Sequence, residues 1–503
     1  MLSYEKRHQF CSGFMNRYRL ILLLIAFCIV LPGRAQSQSQ DTATVITMKQ
    51  AMEMTLANNH EIRKAVLDVE SSREEIRQAW GSIMPQISSQ ASYSRNVEIP
   101  VQFVPAQIFG GPEGELRPIS FGTDNNWSGG FSARQIIFQG QAFVGISSAE
   151  LVNSLRDEQL RAVTQQQLTQ TRVYYLNALI AEQRLELRKK SLERIRENLE
   201  ENRKRYEEGL VSEYAVMQLE VQLQNQEPMV EQAKFELNDA YRTLHNHMGV
   251  NEAFSFKVKG ALSDYNLNQE VQNPENEHIK DIYSMVDLSR HLAVEMEDPK
   301  VTEQLINKRA DYQLSDYQIQ LQEKRIKAEQ SRYLPTISTS YNLNWTASQA
   351  GTPVFFGTEM SRARSQVVSL NISLPIFTGF QRQAAINQAQ IQQEKLKVEM
   401  QQVKSDASQQ IKSLDDRLDQ LRSMYMGQKE AVGTAREGYR IARQQYRNGV
   451  GSQLDVTNAE LSLREAQLNF AQTVYQYLST RAQMDAAIGQ VPLIDVNPTT
   501  SDS

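Results

Sequence analysis

The strongest constraint on this chain is that it is written twice. The segment Arg205-Tyr-Glu-Glu-Gly-Leu-Val-Ser-Glu-Tyr-Ala-Val216 returns as Gln445-Tyr-Arg-Asn-Gly-Val-Gly-Ser-Gln-Leu-Asp-Val456. Tyr206, Gly209, Ser212 and Glu220 are thereby matched by Tyr446, Gly449, Ser452 and Glu460. Upstream, Met84-Pro-Gln-Ile-Ser88 recurs as Leu334-Pro-Thr-Ile-Ser338, and Ile137-Phe-Gln-Gly140 as Ile376-Phe-Thr-Gly379. A repeated order of this kind marks two copies of one supersecondary unit. Each half reads as helix, strand, strand, long helix, turn and return helix. The repeats are expected over 36–267 and 300–496, with hairpin tips near 209 and 449, an acidic connector over 268–299 and a disordered tail over 497–503.

The helices carry heptads. Ile411, Leu418, Tyr425, Val432, Tyr439 and Tyr446 are spaced by sevens, with Leu414, Leu421, Gln428, Ala435 and Ala442 in the companion positions. Leu185, Leu192, Leu199 and Tyr206 repeat that seam in the first half, and the return helices alternate threes and fours from Val216 to Leu244 and from Val456 to Met484. An apolar residue every 3.5 positions packs helices as coiled coils. Gln, Thr and small residues are admitted to the seam, which suits helices touched on two sides. No proline interrupts Ala142–Tyr206, and at 1.5 Å per residue such a helix runs to roughly 100 Å. Pro228, inside the first return helix, is expected to bend or open it.

Four short segments alternate instead with period two, the pattern of half-buried strands. They are expected at about 85–96, 128–139, 335–346 and 365–376. Ile337, Thr339, Tyr341, Leu343 and Trp345 alternate with Ser338, Ser340, Asn342 and Asn344; Val368, Leu370, Ile372, Leu374 and Ile376 alternate with Ser369, Asn371 and Ser373. In the first half Ile87, Ala91 and Tyr93 form one apolar row, and Phe131, Ala133 and Ile137 another. About 9–11 residues is the length of a tilted transmembrane strand. Trp80, Trp127 and Trp345 fall at or beside strand ends, where aromatic girdles sit in membrane barrels; Trp127, Tyr341 and Trp345 are the expected girdle. A soluble sandwich layer is the alternative for the strands alone. Four strands cannot close a barrel, and lipid does not tolerate open edges, so a membrane role demands an oligomer. The connections Asn96–Asn126 and Thr346–Arg364 are expected to face outside.

The start of the chain sets the compartment. Arg17 and Arg19 precede the apolar run Leu20–Leu31, then Pro32, Gly33 and Ala35, the layout of a secretory signal peptide over residues 1–35. Translation starting at Met15 fits that layout equally. The run falls short of the roughly 20 residues a membrane helix needs. The only cysteines, Cys11 and Cys28, lie in this segment, so a processed chain has no thiol for a disulfide or metal site. Phe27 before Cys28 does not fit lipoprotein processing. The net charge of −5 and mean hydropathy of −0.51, without a basic patch, argue against nucleic acid.

The doubled Tyr-x-x-Gly-x-x-Ser turn, Asp455-Val456 after its second copy, the Leu334-Pro-Thr-Ile-Ser338 strand entry and the segment Met48–Asn59 resemble the TolC outer-membrane efflux family over nearly the whole processed chain. His60 and Ala310 stand where that family usually has proline. The resemblance implies a mainly α fold with a small β part: a homotrimer whose four strands per chain join in a twelve-stranded barrel above an α-helical periplasmic tunnel. It implies an outer-membrane conduit of a Gram-negative bacterium, working in tripartite efflux or type I secretion with a periplasmic adaptor and an inner-membrane transporter. Tyr206, Gly209, Ser212, Tyr446, Gly449 and Ser452 would form the adaptor-docking tip. Asp455 would fill the first acidic slot of a tip gate, with Asn458 in the second. Simpler roles stand beside these: helix C-caps for both glycines, N-caps for both serines and a first-turn acid for Asp455.

No Gly-rich phosphate loop, His-Glu-x-x-His or nucleophile elbow is present, so no catalytic residue, metal or cofactor is expected. His245 and His247, two apart, point to different faces of a helix. A periplasmic coiled-coil adaptor or a fibrous scaffold without a barrel remains the alternative; the duplicated hairpin and the two-faced strands argue against both. The exported substrate is not encoded in any motif named here.

Overall fold

The structure, a computed structural model, describes residues 44–251, 254–262, 299–354 and 361–490. The expected signal peptide, the connector up to residue 298 and the tail lie outside them. The chain divides into a small unit, Met1–Thr44 with Ala253–Lys257, and a large one, Val45–Glu252 with Val258–Ser503. Two short strands, β1 (Thr44–Ile46) and β6 (Phe256–Val258), are not part of the main sheet; in the small unit the Thr44 N–H donates to the Ser255 carbonyl at 3.1 Å. Everything that follows concerns the large unit.

Its first half begins with α1 (Met48–Asn58) and α2 (His60–Ile83). Thr47 and Gln50 form a reciprocal capping box for α1, and the Asn59 side chain accepts from Glu61 and Ile62 N–H to cap α2. The departure at His60 therefore leaves the cap intact. The strands β2 (Gln86–Arg95) and β5 (Asn125–Phe138) flank a small hairpin, β3 (Val101–Pro105) and β4 (Leu116–Ser120). Then come α3 (Gly140–Ile146), α4 (Ala149–Glu207) and α5 (Glu213–Met248). The second half repeats the order with α6 (Pro299–Asn307), α7 (Ala310–Gln330), β7 (Thr336–Gln349), β8 (Ser361–Ser373), α8 (Gln381–Arg447) and α9 (Gln453–Ala487).

The long helix of the first half is not continuous from Ala142. It breaks at Ser147 and Ser148, whose hydroxyls both bond back to the Val144 carbonyl, the side-chain competition that makes serine a poor helix interior residue. Beyond the break α4 runs for 59 residues and α8 for 67; the latter spans about 100 Å at the helical rise. Pro228 does not end α5, which is unbroken through it. Pro228 and Gln224, whose carbonyl loses its partner, are both exposed, a setting in which the lost bond costs least.

The heptad seams form the core. Ile411, Leu418, Tyr425, Tyr439 and Tyr446 are buried, and Tyr439 and Tyr446 cluster with Val456 and Leu463 of α9. Leu185 packs with Val230 and Ala233, and Leu199 with Val216 and Leu219, between α4 and α5. α4 also packs on α9, which joins the two hairpins in the order α5, α4, α9, α8. The outer members of that order keep exposed apolar residues. On α5 these include Met217, Val221 and Phe235; on α8, Ile391, Val398 and Ile441.

The four main strands form one antiparallel sheet, β2-β5-β7-β8. The three strands β5, β7 and β8 reach three to four residues further toward the connecting loops than the alternation alone predicts, and the first connection holds the β3–β4 hairpin. A register shift between Ile136 and Phe138 puts Phe138, and not Ile137, opposite Ile337. This extra residue is a bulge, which turns the strand as it leaves for α3. At the other crossing from sheet to helix, Gly379 and Phe380 both have positive φ, 60° and 64°. Buried Arg382 ties that corner: its Nη1 donates to the Arg332 carbonyl at 3.2 Å and its guanidinium lies 4.7 Å over the Tyr333 ring.

Candidate functional site

The hairpin tips are built alike. Gly209 (φ 73°) and Gly449 (φ 77°) close α4 and α8 in the left-handed conformation. Their N–H groups donate to the Tyr206 and Tyr446 carbonyls at 2.9 and 3.1 Å, and the next N–H to Arg205 and Gln445 at 2.8 and 3.0 Å. Both are C-caps that a side chain would strain. An added Cβ at either would meet nothing within 4 Å, so the turns are open to solvent.

The two copies then diverge. Ser212 precedes α5 without a side-chain cap bond, whereas Ser452 accepts from the Asp455 N–H at 3.2 Å. Asp455 answers through Oδ2, which accepts from the Ser452 N–H at 2.9 Å and its hydroxyl at 2.6 Å. These bonds hold the Asp455 carboxyl below its ordinary range. The first repeat has Ala215 in this place. Asn458, one turn on, is exposed.

Tyr206 is 45% exposed while Tyr446 is 8% exposed. The Tyr446 hydroxyl donates to Asn202, whose amide donates to Gln453 Oε1 at 3.1 Å. Arg205 lies over the Tyr446 ring at 4.9 Å and donates to the Tyr446 and Arg447 carbonyls at 3.2 and 2.9 Å. Arg447 in turn pairs with Glu201 at 3.1 Å. These bonds stitch the end of α4 to the end of α8 and the start of α9. Sequence reasoning missed Asn202, Arg205 and Gln453. The signal was the repeat itself: Arg205 aligns with Gln445, a break of symmetry beside matched tyrosines.

In the sheet, cross-strand register puts Tyr93, Trp127, Phe131, Leu343, Trp345, Val368 and Leu370 on one face. The other face carries Ser88, Ser92, Ser128, Ser132, Ser338, Asn342 and Ser369. Ser88 meets Ser132 and Ser92 meets Ser128 at 2.7 Å each. Trp127 and Trp345 lie at the loop end of the apolar face, and the Tyr93 ring lies 5.2 Å from that of Trp127, tilted by 36°. Tyr341 shares the face but sits mid-strand, opposite Ala133 and Val368, so it is not part of the end row. Trp80 lies in α2 and not beside them. Tyr93 takes the third place in the row.

His245 Nε2 faces the Asn251 carbonyl at 2.9 Å, and His247 Nε2 the Gln167 carbonyl at 3.0 Å. Burial lowers the His247 pKa. Among the described residues no group of three His, Cys, Asp or Glu is placed to hold a metal, and no helix is long and apolar enough to cross a membrane.

A sheet with one apolar and one hydroxylated face, two unpaired edges within the chain and two long helical hairpins is the architecture of a membrane channel protein with a helical extension. The outer membrane efflux protein family matches residues 51–250 and 301–490, and the chain belongs to that family. It is therefore an outer-membrane protein with its helices in the periplasm. The chain is 21% identical to the outer membrane protein TolC of Escherichia coli over 469 residues, 92% of this chain and 85% of that one. It shares its fold with the CmeC outer membrane channel of Campylobacter jejuni (TM-score 0.66, 17% identity, 92% and 94% of the two chains). The MtrE channel of Neisseria gonorrhoeae, solved in its open state, is similar too (TM-score 0.64, 16% identity, 88% of each chain).

Proposed function

We propose that three copies of this chain form a passive outer-membrane conduit, gated at its periplasmic tip, that performs no reaction of its own. One observation carries this reading: the sheet is two-faced but has free edges on β2 and β8. Lipid requires every strand edge to be paired, and the smallest barrels use about eight strands. Copies must therefore pair β8 of one with β2 of the next. The exposed apolar residues of α5 and α8 lie on the flanks such a neighbour would cover. The hydroxylated face then lines the lumen.

The tip turns around Gly209 and Gly449 dock a periplasmic adaptor, and Tyr206 and Ser212 are the more exposed members of that surface. In the resting state the bonds from Arg205 and Asn202 hold the α8–α9 hairpin against α4, and adaptor binding releases it. An inner-membrane transporter supplies the driving force. Asp455 lines the tip as a single acidic ring, with Asn458 neutral beside it. The moving part is the α8–α9 hairpin of the second repeat, 300–496, because β5 and β7 join the two repeats in one sheet.

The test is imaging of the chain extracted from separated outer membranes in detergent. A three-fold particle supports the conduit; a detergent-independent monomer in the periplasmic fraction overturns it and favours an adaptor or scaffold. Bilayer recordings in which Asp455→Ala leaves conductance and ion selectivity unchanged would remove the gate assignment.

A further inference from the structure

The sheet and the helices next to it share one order. The strands run β2-β5-β7-β8, and the helices run α2, α4, α7, α8, each packed on the next. One flank of the chain is therefore β2 with α2, and the other is β8 with α8. Strand directions alternate across the sheet. When β8 of one copy meets β2 of the next, the two run antiparallel, with their helix ends together.

Both flanks carry exposed apolar residues at matching distances from that meeting point. On α2 and its end, Met84, Trp80 and Leu67 stand 2, 6 and 19 residues before Gln86, the first residue of β2. On the other flank Phe377, Phe380 and Ile391 stand 4, 7 and 18 residues after Ser373, the last of β8. The Phe380 ring meets that of Phe377 edge-on, centroids 5.6 Å apart. A phenylalanine with positive φ is an outlier that persists where its surroundings impose it, yet Phe380 is 76% exposed in the single chain. From it, Ala384, Asn387, Ile391, Glu394 and Val398 follow by fours and threes, all exposed. The buried row beside them, Arg382, Ile386 and Ala389, faces α7, whose Gln322 donates to the Ala389 carbonyl at 2.8 Å. A second row of period 3.5 fits a second helix.

We propose that α2 of one copy packs along α8 of the next, and that Trp80 and Met84, closing on Phe377 and Phe380, fix the register in which β8 pairs with β2. The inference rests on the outer-membrane channel reading. Alternation of faces cannot set that register alone. A slip of one residue turns every side chain to the wrong face, but a slip of two restores the apolar rows Ile87, Ala91, Tyr93 and Val368, Leu370, Ile372. Such a slip moves the strands about 6.5 Å and pulls Trp80 off Phe380, so the aromatic corner excludes what the strands permit.

Residues 36–503 contain no cysteine, so an introduced pair reports alone. The test is oxidative cross-linking of the full-length chain in outer membranes, read on non-reducing gels. L67C/I391C should give linked two- and three-copy bands, and L67C/V398C, two turns out of level, none. In an F377S/F380S background the link should move to L67C/N387C or L67C/K395C, about one helical turn away, as a two-residue strand slip requires. F377L/F380L, which keeps the bulk, should leave it at L67C/I391C. Three-fold particles without an L67C/I391C link overturn the helix contact and leave this flank to lipid; that arm keeps the aromatic corner intact. An unmoved link in F377S/F380S overturns the register role. So does loss of all three links there, because slipped strands must still bring α2 to α8. An absence of any multi-copy particle would instead strike the channel reading itself.

Discussion

Glu460 of α9, 1% exposed, accepts from Arg194 Nη2 at 3.0 Å and from the Ser191 hydroxyl at 2.6 Å, both on α4. Arg464 approaches its other oxygen at 3.8 Å. Its counterpart in the first repeat, Glu220, instead meets Arg203 at 2.8 Å in an exposed pair. Removing one partner of a buried ion pair strands the other charge. Glu460→Ala should therefore cost about 3–5 kcal/mol, seen as a lower urea midpoint for the assembled chain. Glu220→Ala should leave the midpoint almost where it was, since exposed pairs contribute little. Equal effects of the two would mean that burial at Glu460 is not what sets its weight.

The link between Arg205 and Tyr446 predicts a change in gating. Arg205→Ala removes a cation–π contact of about 0.5–1 kcal/mol and donors to two carbonyls, each bond from a charged group contributing about 1.5–3 kcal/mol. Tyr446→Phe removes only the hydroxyl bond to Asn202. In planar bilayers Arg205→Ala should raise resting conductance clearly and Tyr446→Phe less. Tyr206→Phe, on the exposed counterpart, should leave it unchanged. If Arg205→Ala conducts as the wild type does, the stitched tip is not the closed gate.

The capping pair at the start of α9 gives a pH dependence. The Ser452 hydroxyl and N–H hold the folded-state pKa of Asp455 below its ordinary range. A carboxyl depressed on folding stabilises fully above its unfolded pKa and loses that contribution as pH falls through the folded value. Ser452→Ala removes the cap, about 0.5–2 kcal/mol, and should return Asp455 toward ordinary carboxylate behaviour. Carbon-detected NMR of Asp455 should show its titration moving to higher pH in the variant. The stability gap between the two proteins should narrow in strong acid, once Asp455 is protonated in both. An unmoved titration would mean that Ser452 does not set the charge state at the tip.

What could be read from the sequence was whatever repeats. Heptad spacing located Tyr439, Tyr446, Val456 and Leu463, which form one cluster, because period 3.5 encodes which face is buried. Period two located the strands for the same reason. What escaped lacks a period. The serine break at Ser147 and Ser148 depends on hydroxyls bonding backward. The uninterrupted helix at Pro228 depends on the exposed setting of Pro228 and Gln224. Residue type suggests a girdle place for Tyr341, but its position along the strand, opposite Ala133 and Val368, comes only from the register. The bonds of Arg205 and Asn202 join residues 241 to 251 positions apart, and no local pattern carries such a pairing.

Glycines with the same backbone angle should differ in cost for a reason outside the backbone. Gly449 and Gly249 both end helices with positive φ, 77° and 66°. At Gly449 an added Cβ meets nothing within 4 Å, but at Gly249 it would sit 2.4 Å from the Asn58 carbonyl oxygen. Gly449→Ala should thus cost only the left-handed penalty, about 1–2 kcal/mol. Gly249→Ala adds an overpacking term of about 1–3 kcal/mol, because main chain must move. The movement falls on Asn59, whose side chain caps α2 and donates to the His247 carbonyl at 2.7 Å. Gly249→Ala should therefore loosen the α1–α2 corner, read as faster amide exchange at Glu61 and Ile62. Gly449→Ala should leave those amides protected and disturb only the tip turn. Matching exchange in the two variants would show that the αL backbone alone, and not the close approach to Asn58, requires glycine at 249.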